Sequence, residues 1–443
     1  MNGCQTSQST MARANLRPKF LSTFRSLVRG IQLLGLLLLH GIPTTISVAS
    51  VALIRGRNAA YRRLYRDAVQ LIQRLGPTFV KFGQILSCRR DVLPPVFCDA
   101  LAVLHDAVDP MTEGETRLAL AHAYGAGPDA RFHFEDLALI ASGSIASVFR
   151  AVSKDGALIA LKVRRPGIER IMIDDLSLLK RMVRLAERLQ KCKGMPLGDL
   201  VAYVSTAILG QLDLAQETIN LACLHRSLAA FPEIRVPAPV VEASGFGCLA
   251  MDFIPGLDAK TIGTLSPNQR VRLANIALMA VQHLMFVDGF THCDLHPGNL
   301  YATAAGKLVI LDAGFAVRLS DRVRLLIGEF FYSLATGNGT RCAQVVIESA
   351  QNISPTTDIR GFVTAVATLV QRASRRLSMF SMMAFGNEIF DLQQEFGLYA
   401  QSDFAFPMMA LAVLEGTIRQ ISPDVDFSQL GRMSDSLSEL SAN

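Results

Sequence analysis

Tryptophan is absent from the 443 residues, and aromatic side chains make up only 7% of them. No basic face interleaved with aromatics follows, so the stacking platform typical of nucleic-acid binders is missing and no nucleic-acid partner is expected. Acidic residues are missing from residues 1–66, which hold ten Lys and Arg. The other 377 residues carry 34 basic and 38 acidic side chains. The net charge of +6 is therefore a property of one end and not of a polyanion-binding body. The eight cysteines (Cys4, Cys88, Cys98, Cys192, Cys223, Cys248, Cys293 and Cys342) include no C-x-x-C pair and no Cys/His metal spacing. Free or buried thiols in a reducing compartment are the expectation. The chain is 19% charged and 50% hydrophobic. That excludes a disordered chain and leaves ample apolar mass for a core. At about 150 residues per domain, the length suggests two or three domains.

Charge is also missing from Ile31 to Ile54, which Arg25 and Arg29 precede and Arg55 and Arg57 follow. The run Leu33-Leu34-Gly35-Leu36-Leu37-Leu38-Leu39 is strongly apolar, whereas His40, Gly41, Pro43, Thr44, Thr45, Ser47 and Ser50 dilute the rest. A membrane-crossing helix needs about 20 mostly apolar residues, so the length suffices and the composition is marginal. Crossing a bilayer, lying in its interface and ordinary packing all stay open. A long Met1–Gly30 lead and no clear A-x-A site make a poor secretory signal. An Arg-rich, acid-free start also suits a mitochondrial transit peptide. In either setting the arginines favour an anionic membrane surface.

Beyond Tyr61, the helical spacing of Val69, Leu71, Ile72 and Leu75 is interrupted at Gly76-Pro77. Thr78 to Ser87 then reads as an amphipathic helix with Lys81 and Gln84 one turn apart. Taken alone, that pair is a solvated polar face. Arg89, Arg90, Asp91 and Pro94-Pro95 follow it.

The stretch Ala141-Ser142-Gly143-Ser144-Ile145-Ala146-Ser147-Val148-Phe149-Arg150-Ala151 passes from small residues into alternation. After the turn signal Asp155-Gly156, a second strand pattern, Leu158-Ile159-Ala160-Leu161-Lys162-Val163, contains a lysine. Small side chains let a backbone approach phosphates closely, and a lysine on the next strand offers them a cation. Without G-x-G-x-x-G the loop is a weak signal by itself. A lysine in an apolar strand needs a carboxylate partner. A helix expected over Leu200–Leu228 offers Glu217, with Asp213 one turn earlier.

The sharpest pattern is Gly289-Phe290-Thr291-His292-Cys293-Asp294-Leu295-His296-Pro297-Gly298-Asn299-Leu300, after a helical run over Val271–Val287. Asp294 and Asn299 have the Asp-x-x-x-x-Asn spacing of kinase catalytic loops. The apolar strand Leu308–Leu311 then ends on Asp312-Ala313-Gly314, 13 residues past the Asn. An amide oxygen and a carboxylate, with phosphates and waters, suffice for Mg²⁺, so Asn299 and Asp312 are the candidate metal ligands. Asp294 is placed to accept a proton from an attacking hydroxyl or to position a water. Zinc at His292 and His296 is disfavoured, because neither H-E-x-x-H nor a third ligand occurs.

Leu75-Gly76-Pro77 with Lys81-Phe82-Gly83-Gln84, the Ala141–Ala151 loop, Lys162-Val163 with Arg165-Pro166-Gly167, and His292-x-Asp294-x-His296-Pro297-Gly298-Asn299 together resemble the UbiB (AarF or ADCK-type) family of atypical protein-kinase-like proteins. The resemblance covers roughly Leu75 to Leu319. It implies an α+β, two-lobed, kinase-like fold whose Lys81–Gln84 helix lies over the nucleotide pocket. It also implies ATP and Mg²⁺ as cofactors, ATPase-like or small-molecule kinase chemistry, and a link to ubiquinone or related isoprenoid-lipid metabolism at a membrane. Carried onto this chain, Asp294, Lys162 and Glu217 become catalytic. Ala141, Ser142, Gly143, Ser144, Lys162, Lys81, Gln84 and Asp213 become nucleotide-binding, and Asn299 and Asp312 metal-binding. The expected organisation is a basic segment 1–66 with a membrane-associating stretch 31–54, a helical extension 67–135, an N-lobe 136–255 and a helical C-lobe 256–443. Partners implied are a quinone-like isoprenoid or other membrane lipid and proteins of a quinone-biosynthesis complex. The bacterial cytoplasmic membrane is the expected location, with a mitochondrial membrane as the alternative.

Four positions depart from the family pattern. Gln211-x-Asp213 stands for Glu-x-Asp, Gly143 for an alanine, Ala313 for a phenylalanine, and Met251-Asp252 for Met-Glu. Nucleotide binding is expected to survive these changes. Two other readings stay open: a pseudokinase-like module that binds nucleotide and lipid without turnover, and a small-molecule kinase of the aminoglycoside or choline type. In the C-terminal part, Asp321–Leu334 reads as a helix capped by Ser320. Phe362–Val370 and Met408–Ile418 read as further helices. Met379, Met382, Met383, Met408 and Met409 read as core filler, and the polar tail after Gly431 as frayed.

Overall fold

The computed structural model describes residues 19–87, 93–104, 109–125, 137–187, 197–258, 260–296, 298–353, 357–375, 380–423 and 425. Cys4, Cys88, Arg89, Arg90, Asp91, Cys192, Pro297, Met379 and the tail after Gly431 lie outside the described residues.

Helices α1 (Lys19–Arg55), α2 (Arg57–Leu75) and α3 (Pro77–Leu86) are punctuated by Gly56 and Gly76, whose φ of 80° and 109° suit residues without a Cβ. Helices α4 (Pro95–Leu101) and α5 (Glu113–Tyr124) follow, the second opened by a capping box between Thr112 and Glu115. Next come strands β1 (Ala138–Ser142), β2 (Ala146–Val152) and β3 (Leu158–Arg164), then helices α6 (Ile168–Ala186), α7 (Leu197–Gly210) and α8 (Leu214–Leu228). Strands β4 (Ile234–Arg235) and β5 (Cys248–Asp252) precede α9 (Thr261–Thr264) and α10 (Pro267–Gln282). A π-helical turn over His283–Val287 leads into β6 (Phe290–His292), β7 (Leu300–Ala302), β8 (Leu308–Ile310) and β9 (Ala316–Arg318). The remainder is α11 (Asp321–Ala335), α12 (Gly339–Glu348), β10 (Ala350–Ile353), α13 (Ile359–Ser374), α14 (Met382–Phe396), β11 (Leu398–Ala400) and α15 (Ser402–Ile421).

Two compact units result. One contains the chain up to Phe79 together with Arg170–Val201; the other contains Val80–Glu169 and everything from Ala202 onward. In the first, α1 packs along α2. Helix α1 buries Leu33 but leaves Ile31, Leu34 and Leu38 at 61%, 56% and 53% exposure. Their spacing of three and four puts them on one stripe. Pro43 lies within this helix, and among the described residues no helix is long and apolar enough to cross a membrane. The unit is tied together by Asp175, which is fully buried. Its carboxylate accepts from Arg29 Nε at 2.7 Å, from Arg29 Nη2 at 3.0 Å and from Thr78 Oγ1 at 2.8 Å. Arg29 Nη2 also donates to the Leu75 carbonyl at 2.8 Å.

In the second unit, β1-β2-β3-β5 form an antiparallel sheet. The Asp155-Gly156 turn sets the β2–β3 register, pairing Val148 with Lys162 and Phe149 with Leu161. The period of two sorts the strand's faces. Ile159, Leu161 and Val163 enter a small core with Leu120, Phe149 and Cys248, while Ala160 enters the main core with Leu221 and Leu249. Lys162, two residues from Ala160, emerges on that second face. The main core runs through α8 and α10–α15 and is dominated by Leu and Phe, with Phe330 touching Phe331, Phe385 and Phe404 at 5.6, 6.2 and 6.3 Å.

Two helical boundaries and one burial assignment differ from expectation. The helix expected over Leu200–Leu228 is two helices, broken at Gln211–Asp213, because Asp213 caps a new one: its Oδ1 accepts from Ala215 N at 3.0 Å and Gln216 N at 3.1 Å. The run expected over Val271–Val287 starts at Pro267, behind a Ser266–Gln269 capping box, and ends in the π turn. Met383 is 45% exposed and is not core filler, whereas Met382, Met408 and Met409 are buried. The helix over Asp321, capped by Ser320 Oγ, forms as read. Cys98, Cys223, Cys248, Cys293 and Cys342 form no disulfide, and Cys98, Cys248 and Cys342 are buried.

Arg29→Ala strands the Asp175 carboxylate in the interior with one hydroxyl partner. A loss of about 3–5 kcal/mol is expected in chemical unfolding. Arg29→Lys, which keeps the charge but not the fork, should lose less. Equal stabilities for all three proteins would remove this ion pair as the tie.

Candidate active site

Lys162 sits in the middle strand of the sheet, and its ammonium reaches Glu217 Oε1 at 2.7 Å and Asp312 Oδ2 at 2.8 Å. Glu217 is in the first turn of α8, and Asp312 follows β8 directly. Arg164 Nη1 donates to the Leu212 carbonyl at 2.7 Å, fastening the α7–α8 break, and so the start of α8, to the end of β3. One positive charge thus faces two carboxylates, of which Glu217 is 3% exposed. Burial works against the charge on Lys162, but Asp312 and Glu217 hold its pKa above the ordinary value. Asp312 is also opposed by burial, yet Lys162 holds it well below the usual carboxylate range. Glu217 is pushed up to about 7 by burial and by the Asp312 charge, with Lys162 pulling the other way.

The Asp312 loop is gripped on its far side. Gly314 N donates to Asp312 Oδ1 at 2.6 Å, and Asn220 Nδ2, one turn along α8 from Glu217, donates to the Ala313 carbonyl at 3.2 Å. A Cβ at position 314 would meet Asp312 Oδ1 at 3.0 Å and Glu217 Oε2 at 3.2 Å, so this approach depends on glycine. The absence of the family's phenylalanine leaves Ala313 fully buried, and Phe315, two residues on, packs edge-to-face on Phe406 at 5.6 Å.

His292 joins the two halves of the machinery. Its Nε2 donates to the Asp312 carbonyl, and its Nδ1 accepts from Asp294 N at 3.2 Å. These two bonds assign the proton to Nε2. His292 is 2% exposed, and burial lowers its pKa, which suits a neutral ring with one donor and one acceptor. Asn299 Nδ2 donates to the Asp294 carbonyl at 2.8 Å, which leaves the amide oxygen for a ligand. Lys162, Glu217, Asp312, His292, Asp294 and Asn299 therefore form one continuous hydrogen-bonded chain. Thr417 Oγ1, on α15, donates to the Leu295 carbonyl at 2.8 Å and pins the loop from behind.

The small-residue loop lies beside this chain. Ala141 and Ser142 end β1, and Gly143 turns the chain, its N donating to the Ala146 carbonyl at 2.9 Å. Arg165 holds the loop: Nε donates to the Gly143 carbonyl at 2.8 Å, while Nη2 donates to Ser142 Oγ at 2.7 Å and to the Asp109 carbonyl at 2.5 Å. Ser144 is buried, and its Oγ has no partner, as is also true of Glu217 Oε2. Buried polar atoms without partners are uncommon and are understandable where a ligand completes them. The Ser144 hydroxyl, beside a small-residue turn, can donate to a nucleotide phosphate, whereas Glu217 Oε2 is an acceptor and would be completed by a cation or a water. Asn299 and Asp312 offer the hard oxygens that Mg²⁺ needs, without a full protein cage. Among the described residues no group of three His, Cys, Asp or Glu side chains could hold a metal.

Lys81 and Gln84 lie on α3 and line a cavity of about 620 Å³ with Gln211, Asp294 and His296. Gln84 Nε2 donates to the Leu104 carbonyl at 3.2 Å. These two side chains therefore face the Asp294 side of the site and not bulk solvent. Asp213 is engaged as the α8 cap. Sequence reasoning missed Arg165, His292 as a bridge, and Thr417. Arg165 belonged to a recognised motif, but nothing in the sequence set it apart from its neighbour Arg164. Thr417 carried none.

Residues 103–346 match the ABC1 atypical kinase-like domain family. The probable protein kinase UbiB of Xylella fastidiosa is 29% identical over 378 residues, covering 82% of this chain and 67% of that protein. The protein of the same description from Aeromonas hydrophila subsp. hydrophila is 30% identical over 374 residues, covering 81% and 67%. A solved structure, the complex of Rv3197 with erythromycin from Mycobacterium tuberculosis, has a TM-score of 0.52 at 19% identity, over 79% of this chain and 90% of that one. The family resemblance and the α+β kinase-like fold read from the motifs are borne out. Lys81, Gln84 and α15 lie outside the matched family region.

Two outcomes are expected from this arrangement. Arg165→Ala releases three acceptors around Gly143 and should weaken nucleotide binding about tenfold or more, with Arg165→Lys recovering only part; calorimetric titration with ATP checks it, and unchanged affinity counts against the strap. The second concerns pH in the absence of divalent cations. Between about 4.5 and about 7 the folded chain keeps a proton on Glu217 that the unfolded chain has released. Its contribution to stability is complete below that window and is lost as pH rises through about 7. The stability of wild type relative to Glu217→Gln should fall across it by up to about 3 kcal/mol. A difference in melting that stays flat with pH contradicts the assignment.

Proposed function

The chain belongs to the ABC1 atypical kinase-like family, and from that premise we propose that it binds Mg-ATP and carries out phosphoryl transfer or ATP hydrolysis in support of quinone or isoprenoid-lipid synthesis at a membrane. The observation that carries the reading is the unbroken chain of contacts from Lys162 and Glu217 through Asp312 and His292 to Asp294 and Asn299. Bound Mg-ATP would supply the transferable phosphoryl group. Lys162, fixed by Glu217, orients phosphate oxygens, while the loop held by Arg165 cradles them with its backbone and Ser144. Asn299 and Asp312 hold the cation. Asp294, one-third exposed toward the cavity, accepts the proton of an attacking hydroxyl or water. His292 fixes the Asp294 backbone against the Asp312 backbone, so the base and the metal ligand keep one spacing.

Membrane association is part of the proposal, at a bacterial cytoplasmic membrane, as befits relatives from Xylella and Aeromonas. Its support is the exposed Ile31, Leu34 and Leu38 stripe on a helix within an acid-free, arginine-rich segment. Such a helix lies in an interface with its charges toward anionic headgroups. Thiols that form no disulfide among the described residues suit a reducing compartment.

A second reading, nucleotide binding without turnover, is favoured by Gln211, which lines the cavity where the family pattern has an acid. Phosphate release by the purified full-length protein, with and without anionic liposomes, separates the two. Asp294→Asn should lower turnover at least about 100-fold while leaving Mg-ATP affinity within about threefold. Turnover equal to wild type removes Asp294 as the base. Binding in the wild type with no turnover in any condition selects the second reading.

A further inference from the structure

His292 has a place in the machinery described above, whereas His296, the other histidine of the same loop, has none. It lies two residues past Asp294, lines the same cavity of about 620 Å³ and is half exposed. Its ring is tied back onto the chain. Nδ1 accepts from Gly298 N at 2.9 Å, which assigns the proton of the neutral ring to Nε2. The ring lies so close over Gly298 that a Cβ there would meet His296 Cε1 at 2.6 Å and Nδ1 at 2.9 Å. Gly298 is not among the glycines with positive φ, so the ring, and not the backbone conformation, is what leaves no room for a side chain at 298. With Nδ1 engaged, Nε2 faces Asp294 Oδ1 across 3.8 Å. Every carbonyl between the two side chains is fixed. That of Asp294 accepts from Asn299 Nδ2 at 2.8 Å, that of Leu295 from Thr417 Oγ1 at 2.8 Å, and that of His296 from Asn299 N at 2.9 Å. The separation of 3.8 Å is therefore set by the loop, and it is too long for a hydrogen bond. It is short enough for one oxygen atom to bond to both groups. One group is a donor and the other an acceptor, and a hydroxyl or water oxygen offers the complement of each.

We propose that His296 is a further catalytic residue, which together with Asp294 holds the attacking oxygen. The proposal rests on the phosphoryl-transfer reading above. The O–H donates to Asp294 Oδ1, and one lone pair of the same oxygen accepts from His296 Nε2–H. The remaining lone pair is thereby aimed at the terminal phosphorus of a nucleoside triphosphate. As the new oxygen–phosphorus bond forms, the bond from that phosphorus to its bridging oxygen breaks, and its electron pair leaves with the nucleoside diphosphate. The hydroxyl proton passes to the Asp294 carboxylate. His296 keeps its Nε2 proton throughout, so it orients the oxygen and is not a second base. Orientation matters here because a reacting atom displaced by about 1 Å can lose about 100-fold in rate. Gly298 acts through the ring: it is the residue that lets His296 fold back far enough for Nε2 to face Asp294.

The test follows phosphate release by full-length protein, with Mg-ATP affinity measured separately by calorimetry. His296→Ala should lower turnover about tenfold or more, while Mg-ATP affinity stays within about twofold. His296→Gln places an amide donor where Nε2 stands and should recover part of that loss. His296→Asn places its amide where Nδ1 stands and should recover none. Gly298→Ala displaces the ring and should lower turnover about as much as His296→Ala, yet cost no more than about twofold once residue 296 is already alanine. A structural role alone would not produce this order. Turnover by His296→Ala equal to wild type, His296→Gln no better than His296→Asn, or a Gly298→Ala loss that persists undiminished in the double variant overturns the assignment. Should Gly298→Ala not fold, the contrast between His296→Gln and His296→Asn decides. Wild type that binds Mg-ATP without turnover in any condition ends the phosphoryl-transfer reading and this role of His296 with it, whereas equal turnover by wild type and His296→Ala ends the His296 role alone.

Discussion

One lysine between two acids organises the molecule. The Lys162 ammonium is 2.7 Å from Glu217 and 2.8 Å from Asp312, so β3, α8 and the loop after β8 must meet at a point. Desolvating three charges is unfavourable unless each finds a partner. Burial and the Asp312 charge push Glu217 up to about 7, while Lys162 holds Asp312 below the usual carboxylate range. Once Glu217 is ionised, above about pH 7, the triad carries an excess of negative charge, and that excess is a physical reason for a cation at the site. The surroundings all act to keep the three groups in place: Arg164 on the helix break, Asn220 on the Ala313 carbonyl, and a glycine at 314 with no room for a Cβ.

His292 extends the constraint from charge to geometry. A neutral ring with one donor and one acceptor can bridge two backbones in one orientation only, and here it bridges Asp312 and Asp294. The Asp294 loop is then held from the opposite side by Thr417. The loop is thus located by the strand that leads into Asp312 and by the C-terminal helix together, and a change in α15 would be felt at Asp294 through a single hydroxyl. Two-sided fixation of this kind is what a reacting group needs if it is to keep its place through a reaction.

Much of this was legible in the residues, for local reasons. Asp294 and Asn299 share one loop, Lys162 lies in one strand after a turn signal, and Asp312 ends a short apolar run. Each is a spacing that backbone geometry makes meaningful. Glu217 was accessible because a buried lysine demands a carboxylate and the helix expected over Leu200–Leu228 offered few. The break at Gln211–Asp213 was not anticipated, because a helical period runs through it and only the capping behaviour of Asp213 reveals a new start. Arg165, His292 and Thr417 act through carbonyl groups. Every residue has a carbonyl, so no residue type in the chain announces which one will be met, and tertiary path alone decides. The same applies to Lys81 and Gln84, a solvated face when read alone and a cavity wall once α15 is opposite.

The central claim is that Lys162 and Glu217 act as one unit in nucleotide binding. A double-mutant cycle with Lys162→Met and Glu217→Gln, read as Mg-ATP affinity by calorimetry, tests it most directly. Each single change should weaken binding, and the double mutant should be no weaker than the worse single within about twofold. Losses that simply multiply would mean that the two side chains act independently and would contradict the account.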